Sequence, residues 1–244
     1  AAAPPAVQTP ILAVPASPSP RRSVALKGAV HSQKSARARI GVDATFMAPD
    51  NDLFALASGA PENRDGLRAA HTATDALREV HEPFSLNDLV ADVKGRMGKA
   101  HAILRARALN DGGDVSAGIA VLAAKGDRYA VLWAGAVRVY AVNAGTLRQL
   151  TSDHVEVGVA RRLIRSIGGP GPPRLETATG VLSPGDRFVL ASPQIGKALT
   201  PVELADALAG DPLPDVARRL VQDALIAGAN GTVTALLVDV GEVD

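Results

Sequence analysis

The side chains of this chain that could do chemistry are few and scattered. Oxygen donors gather at Asp50, Asn51 and Asp52 and again at Glu62 and Asp65, and Asp153 stands directly before His154. Carboxylates and amides of this kind suit hard divalent cations, and an Asp-His pair suits a general base. The local pattern favours plainer roles. Asp50-Asn51-Asp52 reads as a turn. Glu62 and Asp65 read as acids near a helix N-terminus, where they complement the dipole, and Asp153 reads as a helix N-cap. His31, His71, His81, His101 and His154 show no His-Glu-x-x-His spacing. No Gly-x-Ser-x-Gly elbow and no Walker loop is present. The run Gly168 to Pro173 is Gly-rich but broken by prolines, so it reads as a loop. Cys is absent, which excludes disulfides and thiolate zinc sites.

The elements that must position these groups begin with the most regular stretch. Ser116–Ala124 and Tyr129–Ala134 flank a turn at Lys125–Arg128, and Val137–Val142 and Thr146–Leu150 flank Asn143-Ala144-Gly145. These are hairpin patterns, with a Gly available for positive φ. Upstream, strands are expected at 38–46 and 53–57, and structure is expected to begin near 24–30. Two helices follow. The first, about 64–82, sets Leu67, Ala70, Leu77 and Val80 on one face. The second opens at Ser85, with Asp88 three residues on, and carries Leu86, Leu89, Val90, Val93, Met97, Ala100, Ile103 and Leu104 at helical spacing. Further expectations are a helix at about 154–165, strands at 175–180 and 187–191, a capping box Thr200–Glu203 opening a short helix, a helix at 214–227 and a closing strand at 232–240. This order is not a βαβ alternation. It indicates an α+β architecture, two packed antiparallel sheets with helices outside.

Composition bounds the rest. In 244 residues there are 26 bases and 25 acids, but six bases (Arg21, Arg22, Lys27, Lys34, Arg37, Arg39) precede the first acid, Asp43. Aromatics are 3%, and none precedes Phe46, so base stacking has little to work with and nucleic acid is not expected as a partner. No apolar run approaches the ~20 residues of a membrane span. Residues 1–23, rich in Pro and basic, are expected to form a linker or leader, and residues 24–244 the folded domain. The absence of Met at position 1 suggests a processed product or a piece of a longer chain.

The hairpin run ends in Gly135, Arg138, Leu150, Thr151, Asp153 and His154. It resembles, without a gap, the protein phosphatase 2C family of metal-dependent Ser/Thr phosphatases, whose hairpins end in Gly-Asp-Ser-Arg and then Leu-Thr-x-Asp-His. The resemblance covers about residues 30–240. In that family carboxylates from separate strands hold two divalent metals, and an arginine holds the phosphate. Mapped residue by residue, the family's Arg-x-x-Asn-Glu-Asp falls on Ala38–Asp43, with Val42 for the Glu and Asp43 kept. Its Asp-Gly falls on Ser58-Gly59, and the Asp of Gly-Asp-Ser-Arg on Ala136. The Asp of its Ser-Asp-Gly falls on Pro193, and that of Asp-Asn-x-Thr on Gly231, with Thr234 kept.

What the resemblance implies is therefore a family scaffold with a depleted centre. Its vestigial positions are Val42, Asp43, Ser58, Gly59, Ala136, Pro193 and Gly231. No intact catalytic set is expected, and no metal, with weak Mn or Mg binding as the alternative. Arg37, Arg39 and Arg138 are candidates for holding a phosphate. Strand alternation would put Arg37 and Arg39 on one face and Val42 on the other. The reading is a pseudophosphatase acting as a cytoplasmic protein-binding or regulatory module, with a Ser/Thr kinase or phosphoprotein as partner. The alternatives are a divergent phosphatase with relocated ligands and a docking subunit of a larger assembly.

Overall fold

Strands apolar at nearly every position must be covered on both faces, and several strands here are of that kind. The computed structural model describes residues 24–243 other than 82, 112, 114, 157–161 and 211. In chain order come β1 (Val24–Lys34), β2 (Asp43–Ala48), β3 (Leu53–Ala60), α1 (Arg64–Asp75), α2 (Leu86–Asp111), β4 (Ser116–Lys125), β5 (Arg128–Ala134), β6 (Arg138–Asn143) and β7 (Thr146–Gln149). Then follow β8 (Val155–Glu156), β9 (Arg162–Leu163), β10 (Glu176–Val181), β11 (Arg187–Ala191), α3 (Ile195–Ala198), α4 (Pro201–Ala207), α5 (Leu213–Ile226) and β12 (Thr232–Glu242).

Two five-stranded sheets result, ordered β1-β12-β11-β6-β7 and β10-β5-β4-β3-β2, and the neighbours in each pair antiparallel. Phe54, Leu56, Leu122, Val131, Phe188, Leu190, Leu236 and Val238 fill the space between the sheets. Tyr129 meets Phe188 edge-on at 4.8 Å. The outer face of the β4–β3 sheet buries Leu77 and the α2 residues Leu89, Val93, Met97 and Leu104. The outer face of the β12–β11 sheet buries Val216, Leu220 and Val221 of α5. The architecture is the expected two-sheet α+β sandwich with helices on both outer faces.

Local sequence explains most boundaries. Asn63 caps α1, its side chain accepting from the amides of Asp65 and Gly66. Beyond Asp75 the chain tightens into a 3-10 turn, Ala76–Glu79, so the first helix stops short of the expected end. Thr200 and Glu203 form the reciprocal capping box of α4. Thr200→Ala removes it, and thermal unfolding should then fall by about 2–4 °C, with an unchanged midpoint showing that the cap carries no stability.

Two expectations are corrected. The segment 38–42 is not strand, because residues 35–42 form a turn and bends before β2 begins at Asp43. Strand parity therefore does not govern Arg37 and Arg39. The helix expected over 154–165 is also absent from the described residues there: Val155–Glu156 pairs with Arg162–Leu163, and residues 157–161 lie outside those described. The polar groups a helix would need are already taken. His154 N–H donates to the Gly135 carbonyl (2.9 Å), and the His154 carbonyl accepts from Ile164 N–H (3.0 Å). Gly135 N–H donates to His154 Nδ1 (3.2 Å). That leaves Nε2 to carry the proton toward Glu176 Oε1 at 3.0 Å, and the ring stacks on Trp133.

Candidate functional site: a depleted centre between the sheet ends

The positions that map to the family's metal centre come together at one end of the sandwich. Asp43 opens β2 opposite Ser58 of β3, and Ser58 in turn faces Gly118 of β4. On the facing sheet, Ser192 follows β11, and Gly231 precedes Thr232 and Thr234 of β12. Val42 ties the two sheets, since its N–H donates to Thr232 Oγ1 (2.9 Å) and its carbonyl accepts from Gly59 N–H (2.9 Å). Ala136 is buried, with its amide nitrogen 3.4 Å from where a Cβ on Gly118 would stand. Pro193 sits in the turn between β11 and α3.

Asp43 is the one acid retained at these positions, and it is tied into a chain of hydroxyls. Thr234 Oγ1 donates to Asp43 Oδ2 at 2.7 Å. Ser32 Oγ lies 2.7 Å from Thr234 Oγ1. The single Thr234 proton is spent on the carboxylate, so Ser32 is the donor of that pair. Asp43 Oδ1 is buried and makes no hydrogen bond. The hydroxyl of Ser58 is near enough to favour the charged form, but not in hydrogen-bonding geometry. Burial dominates and pushes the Asp43 carboxyl up to about 6. The Ser58 and Thr234 hydroxyls oppose that rise, and the charge of Glu62 adds to it.

Glu62 is thus the second acid of the centre, supplied by the segment between β3 and α1. A Cβ on Gly231 would stand 3.1 Å from Glu62 Oε1 and 3.1 Å from Gln194 Nε2. Both tips therefore converge on the residue that the resemblance maps to a family acid, and Gly231 itself has φ +99, a conformation that suits Gly. Ser192 braces the same corner, its Oγ accepting from Thr234 N–H at 2.9 Å. Sequence reasoning missed Ser32 and Gln194. Ser32 was recoverable in principle, since it lies opposite Thr234 in the β1–β12 register. Gln194 carried no signal, since its family counterpart is Gly.

The arginine candidates separate. Arg138 is committed: Nε and Nη2 donate to the two oxygens of Asp153 at 2.9 and 2.8 Å, and Nη1 donates to the Gly196 carbonyl at 2.8 Å. The bond to Asp153 holds its pKa still further above the usual arginine range. Asp153 is accordingly the partner of Arg138 and not a helix cap. Arg37 and Arg39 are exposed on the 35–42 segment, which is fastened beside the centre by Ser35 N–H donating to the Gly231 carbonyl (2.9 Å). Asp50 lies in a short 3-10 turn at Pro49–Asn51, on the far side of β2 from the centre. Asp65 is an exposed acid of the first turn of α1.

The donor set does not fit a two-metal centre. Hard divalent ions take six or more oxygen ligands, several of them carboxylate. Here one Asp43 oxygen is engaged by Thr234, and Ser58 cannot bridge two ions as a carboxylate does. Among the described residues no three of His, Asp or Glu are grouped to hold a metal.

Comparison with solved structures places this arrangement. PppA, described as a key regulatory component of the T6SS in Pseudomonas aeruginosa, superposes with TM-score 0.85 at 27% identity, over 89% of this chain and 99% of that one. The catalytic domain of the serine/threonine phosphatase PstP, in complex with two manganese ions, gives 0.78 at 21%, covering 90% and 100%. The S. agalactiae serine/threonine phosphatase gives 0.81 at 20%, covering 88% and 99%. No family model matches the chain, and no curated protein matches it. The fold is that of the metal-dependent Ser/Thr phosphatases. The chain resembles the protein phosphatase 2C family, with most of the acids of that family's metal centre replaced.

Proposed function

We propose that the chain is a pseudophosphatase, a phosphatase-2C-like domain that works as a protein-binding or regulatory module in Ser/Thr phosphorylation signalling. The observation that carries this reading is the replaced donor set. Val42, Ser58, Ala136, Pro193 and Gly231 stand where the family has acids, and the retained Asp43 is held by Thr234. The regulatory half is supported by the likeness to PppA, itself described as a regulatory component. A Ser/Thr kinase or phosphoprotein is the partner that suits this fold, reached in the cytoplasm, with residues 1–23 as a leader to the domain. Arg37 and Arg39 are the cations left to hold a phosphorylated segment without hydrolysing it.

A divergent phosphatase with relocated ligands is the second reading, and Glu62 is what favours it, because its charge reaches Asp43. Calorimetric titration with Mn²⁺ and Mg²⁺, paired with phosphate release from a phosphopeptide, separates the two. Neither heat nor phosphate is expected. Mn²⁺-dependent release that disappears in Asp43→Asn would establish the enzyme instead.

A further inference from the structure

The centre between the sheet ends carries a charge imbalance that its own residues leave unanswered. Asp43 Oδ1 is buried and makes no hydrogen bond, and the charge of Glu62 bears on the same carboxyl. Only the hydroxyls of Ser58 and Thr234 ease the Asp43 charge, and no cation does. The bases nearest in sequence are engaged or turned outward. Lys34 Nζ donates to the Ala38 carbonyl at 3.1 Å, and Arg37 and Arg39 are exposed. A buried carboxylate oxygen left bare is costly, more so beside a second acid, and calls for a partner.

The corner is open to an incoming group. Asp43, Ser58 and Gln194 are half-buried, and Glu62 is exposed. Gly231 has no side chain to close the place where the tips of Glu62 and Gln194 converge, since a Cβ there would stand 3.1 Å from each.

The acceptors present discriminate among cations. A divalent ion needs more oxygens, several of them carboxylate. A guanidinium gains most by gripping both oxygens of one carboxylate. The buried carboxylate offers only Oδ1, because Oδ2 already accepts from Thr234 at 2.7 Å. A primary ammonium is a compact point charge with three N–H donors. Asp43 Oδ1, Ser58 Oγ and the Glu62 carboxylate supply an acceptor for each.

We propose that the centre between the sheet ends binds a primary ammonium group through Asp43, Ser58 and Glu62. Resting on the pseudophosphatase reading, this site gives the partner of that reading a lysine side chain. A free amine is the other source of the same chemistry.

Thermal unfolding and calorimetry of the full chain with n-butylammonium chloride test this, at about pH 7.5 and without divalent ions or phosphopeptide. A dissociation constant of about 1–10 mM is expected for so small a ligand. At tenfold that concentration the unfolding midpoint should rise by about 3–6 °C. n-Butylguanidinium, Na⁺ and K⁺ at equal ionic strength should bind about tenfold more weakly or worse. Asp43→Asn should weaken the ammonium by about tenfold or more with unchanged far-ultraviolet circular dichroism. Glu62→Gln, at an exposed position, repeats the test where folding is not at risk. A lysine peptide that binds more tightly than n-butylammonium, and loses that margin when the lysine is acetylated, assigns the source to a protein. Equal affinities assign it to a free amine. Absence of binding by both measurements, equal binding of guanidinium or K⁺, or binding indifferent to both variants would overturn the proposal. None of these touches the pseudophosphatase reading, which falls on Mn²⁺-dependent phosphate release.

Discussion

Gly59→Ala should destabilise the fold by about 3 kcal/mol or more, lowering thermal unfolding by roughly 6–12 °C. The position is the penultimate residue of β3, and a Cβ there would overlap the backbone carbonyl of Gly66 in the first turn of α1. Neither partner can yield cheaply. Gly66 has its own close contact, since a Cβ on it would overlap the Pro61 carbonyl. The helix would have to back away from the sheet, opening the packing of Ala69, Ala70 and Ala73 against β3 and β4. The Gly59 N–H also donates to the Val42 carbonyl, so the shift would propagate to Asp43 and Ser58. The resemblance keeps this Gly and sets Ser58 where the family has an acid, and packing accounts for the Gly. Chemical denaturation that shows Gly59→Ala within about 1 kcal/mol of the parent would mean that α1 is held elsewhere.

The contrast between Gly59 and its neighbours explains what was legible in the sequence. Hairpins at 116–150 and the closing strand at 232–240 announce themselves by alternation and turn residues, and each appears within a residue or two of where it is expected. The paired helices follow from their stripes, although Ile103 of the second stripe is 50% exposed. Segment 154–165 was not legible. Its conformation is set by His154 bonding to Gly135 and Glu176, partners distant in sequence. Pro193 and Gly231, which the resemblance maps to family acids, were legible in one dimension. What fills the gap was not. The Ser32–Thr234–Asp43 chain depends on two strands meeting in register across a third, and the approach of Glu62 and Gln194 to Gly231 depends on loop geometry.

Asp43→Asn should stabilise the protein above neutral pH and lose that advantage in acid. In the folded chain the Asp43 carboxyl is raised to about 6 from 3.8, chiefly by burial. Between those two pH values the folded state binds the proton more tightly than the unfolded one. Stability from this group is therefore fully present below about pH 4, and is lost as the pH rises through about 6. A shift of roughly two units corresponds to about 3 kcal/mol. Protonated Asp43 can donate to Thr234, leaving Oδ1 as a neutral oxygen whose missing partner costs less. Ionised, the same orphan oxygen is a buried charge beside Glu62. Asparagine accepts the Thr234 hydrogen bond without the charge. Urea midpoints for parent and variant should converge near pH 4 and separate progressively to pH 7.5, with equal slopes. Because other acids titrate in both proteins, only the difference reports on Asp43. Parallel curves across this range would refute the assignment. A parent made more stable than Asp43→Asn by millimolar Mn²⁺ would show that the carboxylate still serves an ion.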